Sequence, residues 1–296
     1  YCVSDMGQAL CDGLTPSSQI EDVRRMQQET EEAHSLLSYL GGTPMIPFTD
    51  VRTALHLAQI GSSLSPRALM DVGACLRASR AAREAIVTDK TDTPLMSANA
   101  SRLATFKTIE QAISDAIISE DEIADRASNE LFQIRRKMRA CNERVRERLN
   151  GMIHNPNFQK YLQDAIITMR ADRYVLPVRQ EYRSMVPGIV HDQSSTGATV
   201  FIEPMSVVEI GNELKQLISA EKAEIERILR MLSAQIAPEA DAIADNLAIL
   251  AQLDFAFAKA SLARQMNGCM PKINDEGRVN IVSGRHPLID PQKVVP

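Results

Sequence analysis

The stretch from Arg173 to Pro204 constrains the fold most, because it is the only part of the sequence with a convincing β-strand pattern. Proline, glycine and serine clusters divide it into three short runs rich in β-branched and aromatic residues. These runs are Tyr174–Val178, Ile189–His191 and Thr199–Ile202. The pattern predicts three short strands joined by two turns. Pro177 cannot donate to a β-ladder, so we expect the first strand at an edge or a bulge.

A long amphipathic segment precedes this stretch. Ser119 and Glu122 have the spacing of a capping box, and apolar residues follow at steps of three and four until Asn150-Gly151. These apolar residues are Ile123, Ala127, Leu131, Ile134, Met138, Cys141, Val145 and Leu149. The pattern predicts one long helix that begins near Ser119.

A second long amphipathic segment follows the stretch. Ser206 and Glu209 repeat the capping-box spacing, and a similar apolar stripe continues to Ile236, before Pro238. Three strands this short cannot bury a core alone, so they must pack against helices. We predict two long antiparallel helices that carry a small β element at their far end. The alternative is that both helices lie in an ordinary bundle.

The rest of the chain predicts a helical body. Helical segments with short loops occupy residues 1–118, and another helix is expected between Pro238 and Gly268. Val279–Val282 alternates as a strand does. The fold class is therefore mainly α, with a small antiparallel β insertion.

Composition excludes several function classes. The net charge of −5 argues against a protein that coats nucleic acid or an anionic membrane through bulk charge. The five cysteines are widely spaced without a CxxC pair, which indicates free thiols in a reducing compartment. No apolar run is long enough to cross a bilayer, and the first residue is Tyr. We expect an internal part of a larger cytoplasmic protein with no membrane partner.

Motifs for catalysis are missing from the sequence. There is no GxxxxGK[ST] phosphate loop, and no two histidines have a metal-ligand spacing. His191 and Asp192 lie near Ser194 and Ser195, which could form a nucleophilic site, but the composition favours a turn stabilised by Asp and Ser side chains. We predict no catalytic residue, no metal ligand and no cofactor for this stretch of chain.

Charge is unevenly distributed along the segment before the strands. Basic side chains outnumber acidic ones by eight to three between Arg126 and Arg148. Such a patch can bind a phosphate backbone, whereas the alternative is an ordinary solvated helix face. Our candidate nucleic-acid contacts, in this segment and in the stretch after it, are Arg135, Arg136, Lys137, Arg139, Arg170, Arg173, Arg179 and Arg183.

The sequence resembles a known family over essentially its whole length. The run YVLPVRQEYRSMVPGIVHDQSSTGATVFIEP, with ISEDEIADRASNELFQIRRKMR before it and GRHPLIDPQKVVP at the end, is similar to one bacterial branch of the MutS family. That branch lacks the mismatch-reading N-terminal domains and has a C-terminal Smr nuclease domain.

The resemblance implies a domain layout. Residues 1–118 and 238–268 correspond to a helical core, and 151–205 correspond to a clamp. Residues 119–150 and 206–237 correspond to the lever helices that carry the clamp. Residues 269–296 correspond to the start of an ATPase domain, in which Val294 lies beside the adenine. Many relatives have Phe there, so a stacking role does not carry over.

The resemblance also implies partners. Such proteins are homodimeric ATPases that use ATP and Mg²⁺, engage branched DNA during suppression of recombination, and split collided ribosomes. The chain stops before the phosphate loop, so we expect a binding and transmission module that engages DNA or the ribosome. The competing hypothesis is a structural arm for homodimerisation without nucleic-acid contact.

Overall fold

The computed structural model describes residues 1–289, 293 and 294. The chain divides into two compact units. The first unit contains Tyr1–Ser114 and Met231–Pro296, and the second contains Asp115–Arg230.

The described residues are mainly helical, as predicted. In chain order the helices are α1 (Asp5–Asp12), α2 (Ile20–Leu40), α3 (Arg52–Gln59), α4 (Pro66–Ile86), α5 (Pro94–Ser101), α6 (Lys107–Ala116), α7 (Asn129–Ile153), α8 (Pro156–Gln159), α9 (Met205–Ile236) and α10 (Ala240–Gln265). The strands are β1 (Ile117–Ser119), β2 (Glu122–Ile123), β3 (Thr168–Arg170), β4 (Arg173–Arg179), β5 (Gly188–Gln193) and β6 (Thr199–Pro204). None of these helices is long and apolar enough to span a membrane.

The first unit is built around α10, against which α1 to α5 pack. The inward face of α10 buries Leu247, Leu250 and Phe257. Buried polar groups join distant segments of this unit. The Asn246 side chain accepts from the backbone N–H of Ala104 and donates to its carbonyl, at 2.9 and 2.8 Å. Amide pairing of this kind removes the cost of burying polar atoms.

Local signals set several helix ends in the first unit. Ser65 accepts a hydrogen bond from the N–H of Ala68, and Pro66 occupies the first helical position of α4. Gly41 ends α2 in the left-handed conformation, at φ 76°. In contrast, α2 begins at Ile20 without a side-chain cap, although Ser18 and Glu21 have the spacing of a capping box.

The first long helix of the second unit begins later than predicted. Ser119 ends the first strand of a hairpin, in which Ile117 pairs with Ile123 and Glu122 with Ser119. A 3₁₀ turn over Asp125–Ala127 follows, and α7 begins at Asn129 with Ser128 as its N-cap. The prediction of helix from residue 119 is therefore wrong for its first ten residues. In the hairpin Ser119 and Glu122 face each other across the turn, so they do not form a capping box.

Helices α7 and α9 run antiparallel. As the residue number increases along α7, the residue number of the contacting partner in α9 decreases. In this polar ladder, Ser128 bonds Glu224, Arg135 bonds Glu221 and Arg144 bonds Glu213, while Ser206 Oγ lies 3.8 Å from Met152 Sδ. Helix α9 begins directly after β6, so Ser206 lies in its first turn instead of capping it.

The β stretch forms a four-stranded antiparallel sheet in the order β3-β4-β6-β5. Strand β3 was not predicted, because its Thr168–Arg170 segment is too short to show a pattern. Pro177 pairs with Phe201 of β6 on one side, and its carbonyl accepts from Gln163 N–H on the other. The missing proline N–H faces that second side, where β3 has already ended. The expectation of an edge strand or a bulge is therefore wrong, because β4 lies between β3 and β6, but Pro177 costs the sheet no regular ladder bond.

One apolar cluster joins the sheet to both long helices. From the sheet it includes Leu176, Val200 and Ile202, and it includes Leu149 of α7 and Val207 of α9. Burial against two helices gives the small sheet the core that it could not form alone.

The tail of the chain differs from prediction. Val279–Val282 is not a strand in the structure, and Val279 is 86% exposed. An alternating segment needs a neighbouring strand, and no partner pairs with it among the described residues. Val294 is half-buried, and its neighbours Val295 and Pro296 lie outside the described residues.

Candidate nucleic-acid interface

The exposed face of α7 carries cations that no carboxylate neutralises. Arg136, Lys137, Arg146 and Arg148 are all exposed, and none makes an ion pair with any residue that the structure describes. The opposite face of α7 is fixed by its buried stripe, which includes Leu131, Val145 and Leu149. This apolar face holds the helix in one rotation, so the four cations point to solvent. We call them the α7 cations.

Arg135, beside them in sequence, has a different environment. Its Nε donates to Glu221 at 2.7 Å, and its Nη1 donates to Asp125 and to the carbonyl of Ile123, both at 2.7 Å. The Arg135 side chain is only 20% exposed. These hydrogen bonds hold the pKa of the Asp125 carboxyl below its usual value. A phosphate could reach Arg135 only by displacing its internal partners.

Other basic residues of α7 form exposed ion pairs. Arg139 lies 3.2 Å from Asp125, and Arg144 lies 3.3 Å from Glu213. Exposed pairs of this kind contribute little free energy, about 0–1 kcal/mol. A phosphate can therefore compete for Arg139 and Arg144 at low cost. Arg139 shares Asp125 with Arg135, so the structure brings these two candidate residues together.

A second basic surface lies at the end of strand β4. Arg179 N–H donates to the carbonyl of Tyr161 at 2.9 Å, which places Lys160 and Tyr161 beside the end of the strand. The next residues form a 3₁₀ turn that presents Tyr182 and Arg183. The rings of Tyr161 and Tyr182 lie 5.4 Å apart, and the Lys160 ammonium is 5.0 Å from the Tyr161 ring. We call these five residues the tip patch.

The tip patch combines cations with aromatic rings. Lys160, Arg179 and Arg183 are exposed, and no ion pair joins them to the described residues. The sequence pattern indicates Arg179 and Arg183 but does not single out Lys160. The signal for Lys160 is weak, because the contact between the segment around Tyr161 and β4 is an isolated bridge, Leu162 to Val178. Cations that surround aromatic rings suit a phosphate chain with unstacked bases.

The two remaining candidates bind internally. Arg170 contacts Asp192 at 3.1 Å and stacks over Phe201 at 4.3 Å. Arg173 donates to Glu203 at 3.2 Å and to Asn212 at 2.7 Å. Both therefore tie β3 and β4 to neighbouring elements, and Arg173 is largely removed from solvent.

Arg173 belongs to a polar network around Glu203, whose side chain is 2% exposed. His191 Nε2 lies 2.7 Å from the second carboxylate oxygen of Glu203. Gly211 of α9 lies directly over this network, since a Cβ there would meet Glu203 Oε1 at 2.5 Å. The network borders a cavity of about 510 Å³ that Tyr174 and Lys222 also line. The absence of a side chain at Gly211 allows α9 to approach β6.

The residues considered for nucleophilic chemistry have structural partners. Ser194 Oγ accepts from the N–H of Thr199 at 3.0 Å, and Asp192 accepts from the N–H of Gln193 at 2.8 Å. His191 contacts Glu203. This arrangement fits the interpretation of a turn stabilised by side chains. Within the described part of the chain, no cluster of three His, Cys, Asp or Glu side chains could hold a metal ion.

Comparison with known proteins identifies similar sequences along the whole chain. No family model matches the chain. It is 44% identical to endonuclease MutS2 of Geobacillus sp. (strain WCH70), 43% to that of Alkaliphilus oremlandii (strain OhILAs) and 44% to that of Clostridioides difficile (strain 630). These matches cover 99–100% of this chain but only 37–38% of the relatives. The chain therefore belongs to the MutS family, in the branch of the endonuclease MutS2 proteins, and spans less than two fifths of their length.

Proposed function

We propose that this chain is the core, lever and clamp region of a MutS2-type protein and that its second unit holds nucleic acid. In this proposal α7 and α9 are the levers, and residues 151–205 form the clamp. The similar proteins are named endonucleases, and an endonuclease must hold a nucleic acid. The observation that carries the proposal is the set of exposed α7 cations, which have no carboxylate partner within the described chain.

Electrostatics explains how such a surface functions in an acidic protein. The net charge of −5 repels a polyanion, but at physiological salt this repulsion is largely screened at separations beyond about 8 Å. Unpaired cations then contact phosphates directly and release counterions. Contact through the phosphate backbone is independent of sequence, so the ligand is selected by its shape. Branched DNA is our preferred ligand, and the collided ribosome is the other substrate class that the family suggests.

The ATPase and nuclease activities belong, in this proposal, to other parts of the full-length protein. We propose that a homodimeric, cytoplasmic, full-length protein supplies an ATPase that uses ATP and Mg²⁺, together with an Smr nuclease domain. This chain contains no phosphate loop. Its role is to bind nucleic acid and to transmit that binding to the ATPase, with Val294 at most an adenine-side contact.

A salt series on matched charge variants tests the proposal. Arg136→Glu/Lys137→Glu changes two of the α7 cations, while Arg24→Glu/Arg264→Glu makes the same charge change at exposed positions of the first unit. Binding of each protein to a labelled four-way DNA junction is measured by fluorescence anisotropy from 50 to about 200 mM salt. We expect the α7 variant alone to bind more weakly, with a salt slope reduced by about 0.9 for each phosphate that the variant no longer neutralises.

Other outcomes separate the alternatives. Equal weakening in both variants would show that only net charge matters, which contradicts an α7 interface. Absent junction binding, with self-association that salt does not affect, would support the homodimerisation arm instead. Co-sedimentation of the same variants with collided ribosomes distinguishes the two substrate classes, because the α7 variant should fail to form whichever complex uses this surface.

A further inference from the structure

Two cysteines of the first unit lie in direct contact. The Sγ atoms of Cys2 and Cys11 are 3.4 Å apart, and both residues are half-buried. A disulfide has a sulfur–sulfur distance of about 2.05 Å, so a small side-chain rotation would bring them within bonding distance. The other three cysteines differ, because Cys75 and Cys141 are buried and Cys269 is exposed.

The position of Cys2 is fixed by a buried carboxylate. Asp254 of α10 accepts hydrogen bonds from the backbone N–H groups of Val3 and Ser4 and from the Ser4 hydroxyl, at 2.7 to 3.2 Å. Ser4 in turn caps α1 by accepting from the N–H of Gly7. Cys11 lies in the last turn of that same helix. The anchored N-terminal segment therefore lies against α1 and holds its thiol against the second one.

The two thiols have different surroundings. Burial, the hydrogen bond to Cys11 and the negative charge of Asp254 raise the pKa of Cys2 to about 12. Cys2 therefore stays protonated near neutral pH. The raised pKa makes Cys2 the less reactive thiol, so Cys11 is the nucleophile of the pair.

We propose that Cys2 and Cys11 form a reversible dithiol–disulfide site that reacts with low-molecular-weight disulfides. The Cys11 thiolate attacks one sulfur of the disulfide R–S–S–R, which forms a mixed disulfide and releases one RS⁻. The Cys2 thiol then loses its proton as its sulfur attacks Cys11 Sγ, which releases the second RS⁻. Both RS⁻ groups take up protons. The protein dithiol is oxidised by two electrons, and the small disulfide is reduced to two thiols.

The product would be a covalent bond from the N-terminal segment to the end of α1. This modification site lies in the first unit and is separate from the proposed nucleic-acid interface. It is reversible, because a thiol reductant opens the bond by the same exchange in the opposite direction.

Oxidised glutathione is the probe for this site. The whole chain is incubated with it, quenched with acid, alkylated and analysed by peptide mass spectrometry. We expect a peptide pair joined through Cys2 and Cys11, with the loss of two hydrogen atoms and without a retained glutathione. The thermal midpoint should rise after oxidation and return after treatment with dithiothreitol.

Single variants test the order of the steps. In Cys2→Ser, Cys11 should retain glutathione as a mixed disulfide, because no second thiol can displace it. In Cys11→Ser, Cys2 should stay reduced. Exposed Cys269 is the internal control, since it should acquire glutathione equally in all three proteins. Wild-type protein that retains glutathione on Cys11, or Cys11→Ser protein that acquires it on Cys2 as fast as Cys269 does, would overturn the proposal.

Discussion

Ser128 Oγ joins the start of one long helix to the side of the other. It accepts a hydrogen bond from the N–H of Leu131, at 3.0 Å, and donates one to Glu224, at 2.6 Å. The hydroxyl group therefore donates its proton to α9, and its oxygen accepts the hydrogen bond that caps α7. Arg227 donates twice to the same carboxylate, at 2.7 Å. The N-cap of α7 is thus also a contact between helices.

Replacing Ser128 should consequently cost more than an ordinary cap. Loss of an N-cap serine costs about 1 kcal/mol, and loss of the partner of a buried carboxylate adds about another 1 kcal/mol. We expect Ser128→Ala to lower the unfolding free energy by about 2 kcal/mol. Ser65→Ala removes a cap that has no second partner among the described residues, and it should cost about 1 kcal/mol. Urea denaturation compares the two, and equal losses would contradict the second role of Ser128.

Glu224 should make stability depend on acid pH. Hydrogen bonding from Arg227, opposed by burial and assisted by Ser128, lowers the pKa of its carboxyl. A lowered folded-state pKa contributes stability above the unfolded value of about 4.3, and that stability is lost as the pH falls through the folded value. Glu224→Gln keeps an acceptor for Ser128 but no charge. We expect the difference in unfolding free energy between wild type and variant to shrink from pH 6 to 3, whereas a constant difference would contradict this.

Glycine substitutions should have opposite effects at two helical positions. Gly151 of α7 has no atom within 4 Å of an added Cβ, so Gly151→Ala should stabilise the chain by about 0.5–1 kcal/mol through helix propensity. In α9, an added Cβ at Gly211 would lie 2.5 Å from Glu203 Oε1 and 2.8 Å from Arg173 Nη1. We expect Gly211→Ala to destabilise by about 1–3 kcal/mol as overpacking does. Thermal unfolding measures whether each substitution raises or lowers the stability. Stabilisation by both would show that Glu203 and Arg173 can move aside for the added methyl group at little cost.

Arg135 should matter for stability more than for binding. Removing one member of a largely buried ion pair leaves uncompensated charge, so Arg135→Gln should cost about 3 kcal/mol. Arg144→Gln breaks an exposed pair and should cost less than about 1 kcal/mol. Junction affinity of the folded Arg135 variant should stay closer to wild type than that of Arg136→Glu/Lys137→Glu. The reverse order of affinities would place Arg135 at the interface.

Much of the fold could be predicted from local sequence signals. The pair Ser65-Pro66 and the left-handed Gly41 set helix ends through forces within a few residues, and the strand runs were visible as β-branched clusters. The predicted helix start at Ser119 was wrong because residues 117–123 form a hairpin, in which Ile117 pairs with Ile123, instead of the first turns of the helix. Val279–Val282 had the right alternation but no partner strand among the described residues.

The candidate site was less predictable for a related reason. A basic residue is available to a phosphate only if no carboxylate already pairs with it, and that depends on distant residues. Glu221 lies 86 positions from Arg135, so no local pattern could separate Arg135 from Arg136. Lys160 could not be predicted because its place beside Arg179 depends on backbone hydrogen bonds between the segment around Tyr161 and β4, which no local pattern indicates.

The polar ladder between α7 and α9 also has a mechanical consequence. A slide of α9 by one turn, about 5.4 Å, would place Leu217 or Ile225 opposite Arg135, and Ala220 or Ile228 opposite Ser128. The Arg135 guanidinium would then keep Asp125 but lose the carboxylate of Glu221, in a position that is only 20% exposed. The two helices therefore resist shear along their length. We therefore expect a displacement at one end of this helix pair to reach the other end without sliding between the two helices.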